Sequence, residues 1–288
     1  MPEEAQDSIA RLDAFLKRGR PTTRAFRAFV RGFYREHGRK LPWRETRSAY
    51  RILVSEVMLQ QTQADRVVPK YREFLRRFPT WSALAGASTA EVMRAWQGLG
   101  YYRRAFNLQR AAQSVVRDFG GKLPRDPAVI RTLPGVGSYT AGAVCAFAFD
   151  VAVPIIETNV RSVFLYTFFL KRKSVSDAEI LQLVEETLDR RNPRDWYYAL
   201  MDLGSELKRH RRGINTRSKH HAKQSPYHGS NRQARAAVLK TLAERGAVTE
   251  AEIARLLQAE RARIERAVEG LLREGLVRRS NGSRLSLP

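Results

Sequence analysis

Apolar residues recur every three or four positions along most of this 288-residue chain. Ile9, Leu12, Phe15 and Leu16, then Phe26, Phe29, Val30 and Phe33, predict helices over 8–18 and 23–37. Leu41-Pro42-Trp43-Arg44 breaks the pattern, and a third helix is predicted through Ile52, Leu53, Glu56, Val57, Leu59 and Gln60. Further helices are predicted at 64–77, 81–86, 89–97, 103–119, 126–132, 138–149, 159–170, 176–190 and 194–206. Pro79, Gly98, Gly100, Gly121, Pro124 and Pro193 supply the breaks between them. The longest apolar stretch, Ala141 to Ile156, is interrupted by Asp150 and Pro154, and reads as a buried helix followed by an extended segment. Strand-like alternation is nearly absent before residue 270. The pattern predicts an all-α fold of many short helices.

The helical pattern stops at residues 207–230. Lys208, Arg209, Arg211, Arg212, Arg217, Lys219 and Lys223 fall there without one acid, beside His210, His220 and His221. Gly213, Pro226 and Gly229 argue for a loop, either a solvated tether or, as the overall charge favours, an arm that contacts phosphates. Its histidines lack the spacing and the cysteine neighbours of a zinc site. From residue 231 a second unit begins, with helices at 232–245, 250–257 and 260–274. Thr249-Glu250-Ala251-Glu252 has the form of a helix start. Leu276 to Leu287 reads as a hairpin turning at Asn281-Gly282. Three helices and a basic hairpin form a winged-helix pattern, suited to DNA or protein contact or to packing alone. The expected organisation is an N-terminal extension at 1–21, a core at 22–206, the basic loop at 207–230 and the winged helix at 231–288.

Composition narrows the partners. The chain carries 52 Lys+Arg against 29 Asp+Glu, a formal net charge of +23, which points to polyanions. No run of about 18 apolar residues exists to span a bilayer. The acidic start, Met1-Pro2-Glu3-Glu4, has no signal-peptide apolar region, so a cytoplasmic, nucleoid-associated protein is expected if the source is prokaryotic. One cysteine, Cys145, excludes an intrachain disulfide and any multi-cysteine metal site.

Candidate chemistry lies around Leu133-Pro134-Gly135-Val136-Gly137. Two glycines flanking one apolar residue make a tight turn with outward N–H groups. Opening a helix at Ser138-Tyr139-Thr140, such a turn suits a phosphate. Glu157 follows in Ile155-Ile156-Glu157-Thr158-Asn159-Val160-Arg161, where an acid beside nucleic-acid backbone is unfavourable unless it does chemistry. Glu56, among Val54, Val57 and Met58, is costly to bury charged, so its pKa is expected to rise. A protonated carboxyl paired with an ionised one is the arrangement that cleaves glycosidic bonds.

These segments resemble a known family. Leu41-Pro42-Trp43-Arg44, Ser55-Glu56-Val57-Met58-Leu59-Gln60-Gln61-Thr62, Gly98-Leu99-Gly100-Tyr101-Tyr102, Leu133-Pro134-Gly135-Val136-Gly137 and Met201-Asp202-Leu203-Gly204 look like the helix-hairpin-helix DNA glycosylases. The Gln-Gln-Thr run and Gly-Tyr-Tyr point to the MutY-type branch, which removes adenine opposite 8-oxoguanine. The resemblance covers about residues 22–206. It implies a helix-hairpin-helix core acting on double-stranded DNA with a mismatched or damaged base, as a monomer away from membranes. Glu56 is then the general acid that protonates the adenine. Glu157 stands where the family has an aspartate that stabilises the oxocarbenium ion. Tyr139 replaces the nucleophilic lysine of bifunctional relatives, so strand cleavage is not expected. Gln61 and Tyr101 match the residues that wedge beside the lesion. Arg44, Gly135, Val136, Gly137, Lys208, Arg209, Arg211 and Arg212 are the further expected DNA contacts. The family's four cysteines after Gly204 and its C-terminal 8-oxoguanine-reading domain have no counterpart, so no iron–sulfur cluster or other cofactor is expected. Removal of thymine or uracil opposite guanine is the alternative activity, and DNA binding without catalysis the alternative class.

Overall fold

A computed structural model describes residues 2–211, with backbone only for 2–8, and residues 213–219, 226, 228–280 and 283–288. Arg212, His220, His221, Lys223 and the Asn281-Gly282 turn lie outside the described residues. The helices of the first half are α1 (Pro2–Leu16), α2 (Thr23–His37), α3 (Ala49–Leu59), α4 (Ala64–Arg77), α5 (Trp81–Gly86), α6 (Thr89–Ala95), α7 (Arg103–Phe119) and α8 (Pro127–Ile130). Those that follow are α9 (Ser138–Phe149), α10 (Thr158–Phe168), α11 (Asp177–Thr187), α12 (Pro193–His210), α13 (Asn231–Arg245), α14 (Glu250–Leu257) and α15 (Arg261–Arg273). Their starts are local chemistry: Ser88, Ser176 and Thr249 each close a capping box with the glutamate three residues on. Among the described residues no helix is long and apolar enough to cross a membrane.

The chain divides into two compact units, and both draw on separate stretches of sequence. The first comprises Met1–Ala49, Arg125–Arg131 and Gly137–Lys223. Its core forms where α10 and α12 pack on one another and on α2, and the Phe26 ring meets Phe164, Phe168 and Trp196 edge-on. Such aromatic pairs add about 1 kcal/mol each beyond the area they bury.

Of the expected loop at 207–230, the described residues 207–211 and 213–219 are structure of this unit. α12 continues through Lys208, Arg209 and His210, because Leu207 is fully buried and extends its apolar face. A 3-10 turn at Ile214–Arg217 then buries Ile214, and the Val175 and Lys219 amides bond across to Arg217 and Val175 carbonyls at 2.9 and 3.0 Å. Two apolar anchors among the charges are enough to pack the run as far as Lys219.

The second unit comprises Tyr50–Pro124, Thr132–Val136 and Gln224–Pro288. α5 packs on α7, Phe74 meets Trp96, and α13 lies against α6, where Arg94 donates to the Ala243 carbonyl at 2.6 Å. β1 (Val248–Thr249), β2 (Arg278–Ser280) and β3 (Arg284–Ser286) form an antiparallel sheet in the order β1-β3-β2. Buried Leu285 pairs with Val248 on one side and Arg279 on the other. The sequence pattern missed β1, since two residues are too few to show alternation.

Candidate active site and DNA-contact loops

α3 is buried on nearly every side, from Tyr50 to Met58, and Glu56 on it is only 5% exposed. The helix ends in a turn where Gln61 has φ 56°. A second loop, Gly98 to Tyr102, also holds a left-handed residue, Tyr101 at φ 49°. A left-handed backbone costs a residue with a side chain about 1–2 kcal/mol and persists only where its surroundings impose it.

The imposing residue is Arg104, which the sequence reading overlooked. One of its terminal nitrogens donates to the carbonyls of Val57, Met58 and Gln60 at 2.8, 2.9 and 2.5 Å. The other donates to Thr62 Oγ1, Leu99 O and Gly100 O at 3.2, 3.1 and 3.1 Å. One guanidinium thus ties the Gln61 turn to the Tyr101 loop, and it stacks on the Tyr101 ring at 5.4 Å. Burial pulls its pKa down to about 10, so it stays charged at neutral pH. Its only sequence signal is a basic residue in the first turn of α7, directly after the glycine-bearing loop.

The Leu133–Gly137 turn has the expected form. Gly135 takes φ 75°, and a Cβ there would stand 2.6 Å from the Cβ of Asn107, so only glycine fits. Leu133 and Val136 are buried while Gly135 and Gly137 are exposed. Any DNA contact by Val136 is therefore through its backbone. Gly137 is the N-cap of α9 and supplies no side-chain cap, and Tyr139 lies half-buried in the first turn.

Glu157 caps α10. Its Oε1 accepts from the Asn159 and Val160 amides at 2.7 and 2.8 Å, and its Oε2 accepts from Asn159 Nδ2 at 3.0 Å. Burial raises its pKa, while those two amides and the charges of Lys208 and Arg161 lower it. The surrounding unit is built to hold this carboxylate. Tyr197 donates to the Val153 carbonyl at 2.7 Å and accepts from the Ile155 amide at 3.0 Å, fixing the extended approach. A side chain at Gly142 would collide with Ile155, and one at Gly204 with the Asn159 carbonyl. These glycines let α9 and α12 close on the segment that carries Glu157. The Met201-Asp202-Leu203-Gly204 motif thus has a structural basis at Gly204, and a second at Asp202.

Asp202 accounts for Arg44. Arg44 donates to both carboxylate oxygens of Asp202 at 2.7 and 2.8 Å and stacks on Tyr198 at 4.5 Å. Its side chain is 8% exposed. The DNA contact expected of Arg44 is replaced by an internal one, because Asp202 claims the guanidinium. Lys208 also departs from its expected place on a loop. It is half-buried on α12, beside Glu157, and burial lowers its pKa although Glu157 raises it. Arg209 pairs with Glu206 and Arg211 with Asp13, both with exposed side chains. Arg217 donates to the Phe169 and Leu170 carbonyls at 3.0 Å each.

The stretch after Gly204 does not fit a four-thiolate cluster. It has no cysteine, and side-chain links such as Arg217 to Phe169 and Leu170 hold it instead. Cys145 lies in α9, donates to the Arg125 carbonyl at 3.3 Å, and is pushed by burial up to about 11. A thiol so raised is a poor metal ligand and nucleophile.

Residues 54–189 match the HhH-GPD superfamily of base excision DNA repair proteins. The chain is 38% identical over 280 residues to an adenine DNA glycosylase of Mycobacterium tuberculosis, covering 89% of this chain and 91% of that protein. It is 36% identical over 272 residues to the adenine DNA glycosylase of Mycolicibacterium smegmatis, covering 88% and 92%. A solved thermostable thymine-DNA glycosylase superposes with a TM-score of 0.59 at 27% identity, over 64% of this chain and 86% of that one. With that identity over most of its length, the chain belongs to the HhH-GPD superfamily of base excision DNA glycosylases, in the adenine DNA glycosylase family.

Proposed function

We propose that this DNA N-glycosylase hydrolyses the bond between deoxyribose and an adenine flipped out of duplex DNA opposite 8-oxoguanine or guanine. Identity of 38% over 89% of the chain to a glycosylase of that name carries the reading. Glu56, buried on α3, protonates the adenine as it leaves. Glu157, fixed by two α10 amides, presents negative charge to the oxocarbenium ion, and water completes the hydrolysis. Gln61 and Tyr101 fill the gap left by the flipped base. The Gly135–Gly137 backbone holds a phosphate, and Arg209 and Arg211 add charge along the duplex.

The enzyme is proposed to be monofunctional, because Tyr139 brings no amine to the start of α9. Borohydride should trap little covalent complex. It is also proposed to work without an iron–sulfur cluster, having one raised-pKa thiol. Purified protein should be colourless and keep its activity after chelation. Release of thymine or uracil opposite guanine is the second reading, favoured by the likeness to the thymine-DNA glycosylase. Duplexes with A opposite 8-oxoguanine, A opposite G, T opposite G and U opposite G, treated with alkali to reveal abasic sites, separate the two. Cleavage confined to the T and U duplexes would reject adenine as the substrate.

A further inference from the structure

Glu157 stands at the start of α10, so whatever fixes that helix also fixes the carboxylate. The Asn159 and Val160 amides hold the carboxylate only as firmly as α10 itself is held. Two side chains of the 3-10 turn at Ile214–Arg217 reach α10, one toward each end. All of these residues belong to the first unit.

The contact near Glu157 runs through Ser162. This residue is fully buried one turn beyond Thr158, which directly follows Glu157. Its hydroxyl donates to the Thr158 carbonyl at 2.7 Å and stands 3.1 Å from Asn215 Oδ1. A hydroxyl has one hydrogen to give but also accepts. Asn215, which carries both kinds of group, can therefore bind it while Thr158 is served. The far end of α10 has the ordinary problem of a helix C-terminus, since its last carbonyls lack partners within the helix. Arg217 donates to the Phe169 and Leu170 carbonyls at 3.0 Å each. α10 has 11 residues, a length of about 16 Å, and one short turn grips it at both ends. The turn is itself anchored, by buried Ile214 and by the bridge between Val175 and Ser218.

We propose that Asn215 and Arg217 are positioning residues for Glu157. By setting α10 they set the carboxylate against the oxocarbenium ion. This part for the turn rests on the role proposed above for Glu157. It gives a segment of the basic stretch after α12 work in the reaction other than contact with phosphates.

The test uses the full chain and a duplex with adenine opposite 8-oxoguanine. Single-turnover rates are measured at saturating enzyme across the pH range. Asn215→Ala, Ser162→Ala and Arg217→Met should each slow release about tenfold, part of the hundredfold that a shift of about 1 Å can cost. Duplex affinity by anisotropy should stay near wild type. The acid limb of the profile should move upward, because the Asn159 and Val160 amides lower the Glu157 pKa and their displacement lets it rise. Lys208 on α12 and Arg161 on α10, the charges that act on Glu157, are intact in all three variants. A purely structural role would lower the melting temperature and leave rate and profile in place. Asn215→Ala combined with Ser162→Ala should cost no more than either alone, since both break one link. Arg217→Lys, which still has donors for two carbonyls, should recover most of the rate. Asn215 is only half-buried, so its variant decides the matter if the others fail to fold. Wild-type rate and profile in the folded variants, or weakened affinity with an unchanged rate at saturation, would overturn the inference alone. Adenine release at the wild-type rate by Glu157→Gln would overturn the role of Glu157, and this inference with it.

Discussion

Glu157 does two things with one carboxylate. It caps α10 through the Asn159 and Val160 amides, and it is the negative group proposed to face the oxocarbenium ion. A glutamate reaches about one methylene further than the family's aspartate, and a shift of about 1 Å in a catalytic group can cost about a hundredfold in rate. Bonding to three donors is how this chain holds the longer side chain in place. Burial raises the Glu157 pKa and Lys208 opposes that rise. Removing the Lys208 charge takes away a lowering influence, so the carboxylate protonates at higher pH. Lys208→Met should therefore move the acid limb of the rate profile upward, with a greater loss at about pH 5.5 than at about pH 8. Arg209→Met, which removes an exposed charge paired with Glu206, is the control. Identical profiles for Lys208→Met and wild type would show that Lys208 does not act on Glu157. At Glu56 the expectation is simpler. Glu56→Gln cannot supply a proton and should slow adenine release by at least about a hundredfold while duplex affinity by anisotropy stays near wild type. Base release at the normal rate would remove Glu56 from the mechanism.

At the scale of elements, the two loops proposed to meet the lesion are strained and tied together. Gln61 and Tyr101 both hold left-handed backbones, and Arg104 reaches five carbonyls and a hydroxyl around them. An ammonium has three donors and no planar fork, so lysine cannot replace this pattern. Arg104→Lys leaves buried carbonyls without partners, at about 1–3 kcal/mol for each group stranded. The thermal midpoint should fall, and adenine release should slow by about a hundredfold as the loops relax by about 1 Å. Melting curves and single-turnover rates are the measurements, and an unchanged rate in a destabilised variant would make Arg104 a purely structural residue. The glycines act at the same scale. Gly135 and Gly204 are defined by what their missing Cβ would strike, Asn107 and the Asn159 carbonyl.

For the whole molecule, a net charge of +23 sets a salt-dependent affinity for any duplex. The fold decides which charges are available for it. Arg44 is spent on Asp202, and Arg217 on backbone carbonyls. β2 and β3 carry exposed Arg278, Arg279 and Arg284, of which Arg279 also pairs with Glu250. If these three meet phosphates, neutralising them together should flatten the plot of log affinity against log salt by about 2–3 units. The effect should be nearly equal on matched and mismatched duplexes, since phosphate contacts carry no sequence information. Anisotropy titrations at several salt concentrations measure the slope, and a wild-type slope in the triple variant would move the footprint off the sheet.

The amino-acid sequence by itself determined the helices and the list of candidate acids. α2, α4, α5, α7, α9 and α14 run over the predicted residues, and most other helices end within two or three residues of theirs, because caps, breakers and a 3.6-residue period act over short spans. The glycines of the Leu133–Gly137 turn were legible for the same reason, since a tight turn is a local demand on the backbone. The single cysteine is read directly from the sequence, and with it the expectation that one chain forms no four-thiolate site. What the tertiary structure decided is which side chains meet across long separations. Arg44 and Asp202 are 158 positions apart, and Arg104 lies over 40 from the α3 carbonyls it binds. An exposed arginine and a buried, paired one read alike in a linear pattern. Only packing creates the low-dielectric surroundings and the partner geometry that leave one at the surface, give another to a carboxylate and set a third to holding two loops in place.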